Sequence, residues 1–372
     1  MIKKEKIDKI ASDYKNFKIA TICSHSALQI FKGAREEKIK TIGIVKKDKR
    51  EFYESFPFGT PDEFIEVDDY RDISTDSVME KLVEKEAIII PHGSFVEYAG
   101  KKLENFAVPI YGNRNSLKWE GNREAMSQWM KKAGIKMPKT YKHPSEIDEN
   151  GPAIVKFPGA KGGRGYQIIK NEKEFREKIG TNRECTIQEF LIGVRAYPHY
   201  FFTPFGKNGH KTKQGRIEML GVDRRLESNA DEISRAIATG ALDMNNLNNP
   251  NSQNYQRSHQ ISFTVVGNES IVLRESLLPE YLELGKKVSE ASFDLFGGMF
   301  GPFCLETIIT ENLEIYAFEV SARIVAGTNM FPEGSPYSIY YHNKPMSMGR
   351  RIAMELKNAK ELGSEQLIKL LY

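Results

Sequence analysis

A glycine-rich segment in the middle of the chain has the composition of a phosphate-binding loop. Within AIVKFPGAKGGRGYQIIK, four glycines and three cations stand between or beside two apolar runs: Gly159, Gly162, Gly163, Gly165, Lys156, Lys161 and Arg164. Glycine lets backbone N–H groups approach an anion closely, and the cations match the charge of phosphate. The spacing fits neither a Walker A loop nor the G-x-G-x-x-G pattern. We therefore predict a loop that binds a nucleoside triphosphate, the alternative being a flexible hairpin with solvated charges.

Two glutamates near the end of the chain have the spacing of a metal site. The segment GPFCLETIITENLEIYAFEVSAR predicts a β-hairpin with a two-residue turn at Asn312 and Leu313, which pairs Glu306 with Glu319. Directly opposed carboxylates repel each other and need a compensating cation. Mg²⁺ supplies that charge, prefers oxygen ligands and bridges nucleotide phosphates. The alternatives are a register slip of one residue, or two solvent-facing glutamates with Lys or Arg partners.

The first third of the chain has the alternation of a parallel sheet with helical crossovers. Apolar runs such as FKIATIC, TIGIV and AIIIP alternate with helical stretches such as ALQIFKGAREEKIK. We predict a doubly wound α/β lobe over residues 1–122. In such sheets ligands bind beyond the carboxyl ends of the strands. Residues 24–26 (Ser-His-Ser) and 92–94 (His-Gly-Ser) follow two of these strands and offer the groups that hold a phosphate monoester, although each Ser is also a common helix N-cap.

The remainder of the chain has a different character. The runs AIVKFP, YQIIK, CTIQEFL, AYPHYFFTPF, ISFTVVG and IVLRESLL are joined by short turns, which predicts a mainly antiparallel sheet. The stretches after Pro336 have the pattern of amphipathic helices. The Asn-rich segment at residues 241–256 is predicted to be an exposed loop or insertion.

Composition excludes several classes of protein. The 54 basic and 50 acidic residues are dispersed, without the concentrated basic stripe of a nucleic-acid binder. No apolar run approaches the length of a membrane span, and the charged N-terminus lacks the apolar region of a signal peptide. Three widely separated cysteines, Cys23, Cys185 and Cys304, fit neither a disulfide framework nor a zinc motif. We expect a cytoplasmic protein with free thiols and with neither a nucleic-acid nor a membrane partner.

Taken together, these motifs resemble the ATP-grasp superfamily. The shared features are a lysine on a strand, a glycine-rich hairpin, the short apolar hinge QEFLIGV and two late acidic residues on adjacent strands. Further phrases are similar to the formate-dependent synthetases that act on 5-aminoimidazole-4-carboxamide ribonucleotide (AICAR). They span residues 23–329 and include CSHSALQIFKGA, PHGSFVEY, KFPGAKGGRGY, YPHYFF, EMLGVDRRLESN, VVGN, VLRESLLPE and FEVSARIVAGTN.

The resemblance implies a fold and a division into domains. The fold class is α/β and α+β, an ATP-grasp fold with an N-terminal doubly wound α/β lobe. Residues 1–122 would form that lobe and carry the substrate phosphate loops. Residues 123–205 would form the small ATP-grasp subdomain with its glycine-rich lid, and residues 206–372 the C-terminal subdomain with the metal site.

The resemblance also assigns roles to individual residues. Those implied to bind AICAR are His25, Ser26, Ser94 and Asn268. Those implied to bind ATP are Lys156, Lys161, Gly162, Gly163, Gly165, Glu189, Phe190, Leu191 and Glu227. Glu306 and Glu319 would bind Mg²⁺ or Mn²⁺, and Lys156 and Arg323 would be catalytic. One departure is that Gly193 and Val194 stand where many ATP-grasp enzymes have an acidic residue, so Glu227 is the weaker choice for the ribose contact.

The activity implied is an ADP-forming ligation in purine (IMP) biosynthesis. Formate would attack the γ-phosphate of ATP, and the 5-amino group of AICAR would attack the resulting formyl phosphate to give FAICAR. The partners are therefore the small molecules AICAR, formate and ATP, in a homo-oligomeric enzyme. The alternatives are another ATP-grasp carboxylate–amine ligase, or a paralogue acting on a different phosphorylated substrate. A non-catalytic nucleotide-binding regulator is disfavoured because Lys156, Glu306 and Glu319 are all present.

Overall fold

Three β-sheets and the helices around them make up the described part of the chain. The structure is a computed structural model that describes residues 2–157, 166–180, 184–227, 230–239 and 264–372. The glycine-rich residues 158–165 and the Asn-rich residues 241–256 lie outside these ranges. The predictions for Lys161, Gly162, Gly163 and Gly165 therefore concern residues that are not described.

The N-terminal lobe contains a four-stranded parallel sheet, as predicted from its alternating pattern. Its strands have the order β3-β2-β1-β4 and are β1 (Lys18–Ile22), β2 (Thr41–Lys46), β3 (Glu63–Val67) and β4 (Ala87–Ile89). Its helices are α1 (Lys4–Ser12), α2 (Ala27–Glu36), α3 (Arg50–Glu54), α4 (Asp76–Glu84), α5 (Gly93–Ala99) and α6 (Arg114–Glu120). Short 3₁₀ helices lie at Lys47–Lys49, Tyr70–Ser74 and Gly100–Asn105. The sheet buries Ile19, Ile42 and Ile88 completely, which explains why its strands are nearly continuous apolar runs.

A second, antiparallel sheet follows helix α7 (Arg123–Lys132). Its strand order is β5-β8-β6-β7, and its elements are β5 (Thr140–Tyr141), α8 (Glu146–Asn150), β6 (Ala153–Lys156), β7 (Tyr166–Ile169), α9 (Glu172–Lys178) and β8 (Thr186–Glu189). This small sheet has its own buried cluster, which includes Val155, Ile169 and Phe175. It is therefore a separate packing unit.

The large sheet is also antiparallel and has six strands. Its order is β10-β11-β9-β13-β14, with β12 also paired to β11, and its strands are β9 (Val194–Thr203), β10 (His210–Lys211), β11 (Arg216–Glu227), β12 (Val265–Ser270), β13 (Gly301–Ile309) and β14 (Ile315–Ser321). The helices of this region are α10 (Ala230–Ala238), α11 (Leu278–Phe296), α12 (Ser338–His342), α13 (Met348–Glu361) and α14 (Ser364–Lys369), with 3₁₀ helices at Glu275–Leu277 and Ala326–Met330. The predicted antiparallel sheet and the predicted helices after Pro336 are thus confirmed.

One predicted strand in this region was wrong, and one observed strand was missed. The segment IVLRESLL does not form a strand, because a 3₁₀ turn occupies Glu275–Leu277 and α11 starts at Leu278 with Pro279 in its first turn, a favourable position for proline. Conversely, the 12-residue strand β11 was not predicted. A bulge between Met219 and Gly221 interrupts the alternation of its side chains, which hid the strand pattern in the sequence.

The limits of the ATP-grasp subdomains remain a proposal. Strand β9 precedes the proposed boundary at residues 205 and 206, and it pairs with β11 and β13 in the large sheet. Among the described residues, no helix is both long and apolar enough to cross a membrane. Cys23 and Cys304 are buried free thiols, and Cys185 is partly buried.

Candidate active site

One face of the large sheet is lined by polar side chains. Successive side chains of a strand point to opposite faces, and directly paired residues on neighbouring strands share a face. The pairings of Asp223 with Tyr197, Cys304 with His199 and Glu306 with Glu319 align four strands in this way. The residues on this face are Arg195, Tyr197, His199, Asp223, Arg225, Glu227, Cys304, Glu306, Glu319 and Ser321. The opposite face is apolar and packs against α11, where the Tyr200 ring lies close to Gly285.

Glu306 and Glu319 are directly paired across β13 and β14, as predicted. The turn that joins these strands differs from the prediction, because residues 311–313 form a three-residue loop with Leu313 in the left-handed region at φ 61°. A bulge between Glu306 and Thr307 shifts the register back by one residue. The two differences cancel, so the carboxylates still face each other.

Cations of the protein surround this carboxylate pair. The Arg225 guanidinium donates a hydrogen bond to Glu306, which is 2% exposed. Burial and the Glu306 carboxylate raise the pKa of Glu319 to about 7, opposed by Arg225 and Lys156. Arg225 and Lys156 therefore offset only part of the negative charge of the two carboxylates, and a further cation would stabilise the pair.

Lys156 approaches the pair from the small sheet. Its ammonium donates to Gln188 Oε1 at 2.8 Å and lies 5.4 Å from the centre of the Phe318 ring, beside Glu319 in sequence. Burial lowers the pKa of Lys156, while the Glu319 carboxylate opposes this shift. The predicted catalytic lysine and the predicted metal ligands thus face each other across the cleft between the two antiparallel sheets.

The donor set fits a divalent ion that substrate phosphates help to hold. Among the described residues, no group of three His, Cys, Asp or Glu side chains could enclose a metal by itself. Mg²⁺ commonly takes only one or two carboxylates and completes its shell with water and phosphate oxygens. Two opposed glutamates next to a nucleotide site match that requirement.

The two predicted phosphate loops lie side by side because β1 and β4 are neighbouring parallel strands. Ser24 Oγ is 3.0 Å from Ser94 Oγ, and His25 Nδ1 is 2.9 Å from Ser26 Oγ. The His25 ring stacks on His92 with centroids 5.3 Å apart. Ser26 occupies the N-cap position of α2 but makes no side-chain capping bond. Its hydroxyl is therefore directed to the loop and not to the helix.

His25 is a neutral, partly accessible side chain in cationic surroundings. Burial of the imidazole, His92, Arg323 and Arg225 all lower the pKa of His25. Arg323 donates to Glu120 Oε1 at 3.1 Å and lies next to Gly93, where a Cβ atom would also come within 3.0 Å of His25 Nε2. The cations near His25 provide charge for an anion, and the absence of a side chain at Gly93 leaves space for it.

The hinge between the small and large sheets exposes apolar surface. Glu189 is tied to Lys139 by backbone and side-chain hydrogen bonds, and a Cβ atom at Gly193 would overlap the Ile309 carbonyl oxygen. Ile192 is 83% exposed. None of the described residues accepts a hydrogen bond from the backbone N–H of Leu191 or Ile192. Free backbone groups beside apolar side chains suit a planar heterocycle such as adenine.

Two of the remaining predicted residues, Glu227 and Asn268, lie at the edge of the large sheet. Glu227, on β11, accepts a hydrogen bond from Arg195, so its carboxylate is already engaged. Asn268, on β12, is paired with Arg225 in the sheet and donates to Asp223 at 2.6 Å. Phe190 donates its backbone N–H to Pro152 O at the start of the hinge.

Sequence reasoning missed Arg195, Arg225 and Gln188, which contact the predicted ligands directly. The alternation of Asp223, Arg225 and Glu227 in DRRLE was an available signal, since a strand carries such residues on one face. For Gln188 no local signal exists, because its partner Lys156 lies on a different strand of the small sheet.

Comparisons with known proteins place this geometry in a family. Family models described as a protein of unknown function (DUF1246) and a domain of unknown function (DUF1297) match residues 19–141 and 170–369. The chain is 47% identical, over 98% of both chains, to the 5-formaminoimidazole-4-carboxamide-1-(beta)-D-ribofuranosyl 5'-monophosphate synthetase of Methanothrix thermoacetophila.

Solved structures agree with these matches. The crystal structure of an IMP biosynthesis protein, PurP, from Thermococcus kodakaraensis has a TM-score of 0.71 at 29% identity, covering 95% of this chain and all of that one. The biotin carboxylase domain of Hydrogenobacter thermophilus 2-oxoglutarate carboxylase, solved with MgADP, ADP and bicarbonate, has a TM-score of 0.59 at 15% identity, covering 92% and 70%. The second likeness concerns the fold alone and confirms the predicted ATP-grasp architecture. The chain therefore belongs to the 5-formaminoimidazole-4-carboxamide ribonucleotide synthetase family of ATP-grasp proteins.

Proposed function

We propose that this protein formylates AICAR to FAICAR with formate and ATP, giving ADP and phosphate, as a step of IMP biosynthesis. The observation that carries the proposal is the 47% identity, over nearly the whole chain, to a relative named for this product. The cleft in which Lys156 faces the paired Glu306 and Glu319 supports it chemically. Another carboxylate–amine pair of substrates is the alternative that the assay below must exclude.

Glu306 and Glu319 are proposed to hold Mg²⁺ or Mn²⁺ together with the phosphates of ATP. When bound, such an ion offsets negative charge on the β- and γ-phosphates. Arg225 pairs with Glu306 in the free protein, so this guanidinium must give up part of its contact when a metal binds. We infer that Arg225 then becomes available to the transferred phosphoryl group.

The first chemical step is attack of a formate oxygen on the γ-phosphorus. The P–O bond to ADP breaks as the new P–O bond forms, which leaves formyl phosphate. Lys156 and Arg323 are proposed to stabilise the negative charge of the transferred group, the main source of catalysis in phosphoryl transfer. Lys161, Gly162, Gly163 and Gly165 are proposed to close over the phosphates. The hinge around Glu189, Phe190 and Leu191 is proposed to hold adenine, and Glu227 the ribose.

The second step is attack of the 5-amino group of AICAR on the formyl carbon. The C–O bond to phosphate breaks, and the amine loses a proton to give FAICAR. His25, Ser26 and Ser94 are proposed to bind the substrate phosphate, and Asn268 another part of AICAR. The pKa of His25 is lowered by burial and then by His92, Arg323 and Arg225, so the imidazole suits hydrogen bonding more than proton uptake. A closed cleft would protect formyl phosphate from water.

We further propose a cytoplasmic homo-oligomer whose partners are these small molecules, and neither nucleic acid nor membrane. Phe52, Phe56 and Phe58 are exposed aromatic side chains, and contact between copies would remove their apolar surface from water. Light scattering of the purified protein tests this, since a monomer would have a mass of 42.4 kDa. A monomeric mass would remove this part of the proposal.

The activity itself is tested with purified protein, ¹³C-formate, ATP, Mg²⁺ and AICAR. We expect labelled FAICAR and one ADP for each product, with no product when formate, ATP or metal is omitted. Replacing formate by acetate or bicarbonate should give no nucleotide product. ADP release that requires a carboxylate other than formate, or an amine other than AICAR, would move the protein to the alternative class.

A further inference from the structure

A buried carboxylate at the edge of the cleft has no role in the steps above. Asp223 lies on β11 and is 2% exposed. Its Oδ1 is 2.7 Å from Nε2 of the fully buried His199, and its Oδ2 accepts from Asn268 Nδ2 at 2.6 Å. Both oxygens are therefore engaged, one by a buried imidazole and one by a residue proposed to bind AICAR.

The chemistry of these groups fixes the orientation of the Asn268 amide. Within the described residues, His199 Nδ1 has no hydrogen-bond partner, so a proton there would be buried and unsatisfied. A proton on Nε2 has a partner, and this N–H donates to Asp223. An ionised carboxylate only accepts hydrogen bonds. Asn268 must therefore turn its NH₂ group towards Asp223, which leaves its Oδ1 as the free acceptor of the side chain.

The backbone around Asp223 connects this network to the phosphate loop. A Cβ atom at Gly327 would overlap the Asp223 carboxylate, so the Ala326–Met330 turn packs directly on it. In the same turn, Asn329 donates to the His25 carbonyl oxygen at 2.8 Å. The Ala326–Met330 turn therefore contacts both the Asp223 carboxylate, which binds Asn268, and the backbone of His25. Asn268 and His25 are proposed to contact AICAR from different domains, and this turn connects them.

We propose that Asp223 is a positioning residue, held by His199, that presents Asn268 Oδ1 to a hydrogen-bond donor of AICAR. This inference rests on the proposed function. The AICAR donors that fit are the N–H groups of the 4-carboxamide and the ribose 2′-hydroxyl. A carboxylate in place of the carboxamide would meet an acceptor and be rejected, so Asp223 contributes to specificity between otherwise similar ribonucleotides.

The test compares wild type with Asp223→Asn, using AICAR, its 4-carboxylate analogue and 2′-deoxy-AICAR. Asparagine at position 223 offers a donor as well as an acceptor, so Asn268 is free to flip. We expect KM for AICAR to rise roughly 5- to 10-fold, the loss of about one hydrogen bond, with KM for ATP unchanged. The preference for AICAR over the carboxylate analogue should fall by a similar factor if the carboxamide is the donor. If only the preference for AICAR over 2′-deoxy-AICAR falls, the donor to Asn268 Oδ1 is the ribose 2′-hydroxyl.

Two further variants separate positioning from folding. His199→Gln keeps an N–H donor near Asp223. If His199 acts only by holding the Asp223 carboxylate, this variant should keep the wild-type preference for AICAR over both analogues. Arg224→Gln is the matched control, because Arg224 pairs with Glu269 across the same two strands but on the opposite face. Asp223→Asn would overturn the inference by leaving both preferences unchanged, or by raising the KM values for AICAR and ATP equally. FAICAR formation by wild type is measured in the same assay, so failure of the proposed function itself would be recognised separately.

Discussion

At the residue scale, the paired glutamates impose an electrostatic cost on the folded protein. Glu306 and Glu319 are directly opposed, and the pKa of Glu319 is raised to about 7 by burial and by Glu306. A purely structural sheet gains nothing from such a pair, since opposed like charges destabilise a ladder. The arrangement is explained if a cation from outside the chain completes it.

Replacing either carboxylate should separate turnover from substrate binding. We expect Glu306→Gln and Glu319→Gln each to reduce the rate of FAICAR formation by about 100-fold or more, because charge on the transferred phosphoryl group is no longer offset. AICAR affinity, measured by isothermal titration calorimetry, should remain within about 3-fold, less than the loss of one hydrogen bond to a charged group.

The control for this pair is Glu314→Gln in the same hairpin, whose exposed carboxylate pairs only with groups outside the cleft. That variant should keep its activity. Loss of AICAR binding in both cleft variants would contradict the metal assignment, and normal turnover in one would remove that residue from it.

The raised pKa of Glu319 also predicts how stability depends on pH. Between its ordinary value of 4.5 and about 7, the folded protein keeps a proton that the unfolded chain has released. Folded-state stability from this group therefore falls as pH rises through that window and stays low above it. Without metal, Glu319→Gln should raise Tm at pH 8 by about 2 °C or more and change it less at pH 5. Scanning calorimetry at both values checks this, and an equal or opposite change at pH 8 would be inconsistent with it.

If the two phosphate loops bind the phosphate of AICAR, substitutions in them should weaken binding of the nucleotide more than binding of the nucleoside. His25→Ala and Ser94→Ala should each weaken AICAR binding by about 1.5 to 3 kcal/mol, roughly 10- to 150-fold, if they contact the charged phosphate. Binding of the dephosphorylated nucleoside should change far less. Calorimetric titrations of both ligands test this, with Ser12→Ala on the exposed helix α1 as control. Equal losses for the two ligands would place these side chains elsewhere in the site.

At the scale of elements, the hairpin shows which features the sequence could and could not predict. The pairing of Glu306 with Glu319 was predicted from a hairpin with a two-residue turn at Asn312 and Leu313, and that turn does not occur. The three-residue loop and the bulge at Glu306 depend on backbone conformations that alternation does not specify. The parallel sheet was easier, because β1, β2 and β4 are buried on both faces and appear as nearly continuous apolar runs.

A substitution in the hinge should affect the binding of ATP and leave the binding of AICAR little changed. Gly193→Ala would place a Cβ atom against the Ile309 carbonyl oxygen and displace the connection between the two antiparallel sheets. We expect KM for ATP to rise about 10-fold, equivalent to about 1.4 kcal/mol, with KM for AICAR little changed. Gly121→Ala is the control, because a Cβ atom there would meet the Leu117 carbonyl oxygen at 3.4 Å and the Lys118 carbonyl oxygen at 3.8 Å, both ordinary contact distances. Steady-state kinetics showing unchanged KM for ATP would separate the hinge from the adenine site.

At the scale of the whole molecule, the site is assembled from parts that are distant in sequence. His25 in the N-terminal lobe is influenced by Arg225 and Arg323 of the large sheet, and Lys156 comes from the small sheet. Each motif could be recognised locally, but their convergence depends on packing between lobes. For this reason sequence reasoning could propose candidate ligands from single motifs but missed their partners, such as Arg225 and Asp223.

The central claim is that this assembled cleft activates formate as formyl phosphate before the amine attacks. If so, one oxygen of formate must leave with phosphate in every turnover, while the other remains in the formyl group of FAICAR. The most direct test is turnover by wild type with doubly ¹⁸O-labelled formate, followed by mass spectrometry of phosphate and FAICAR. We predict one heavy oxygen in each phosphate and one in each formyl group. Phosphate without the label, alongside labelled FAICAR, would contradict the acyl-phosphate route.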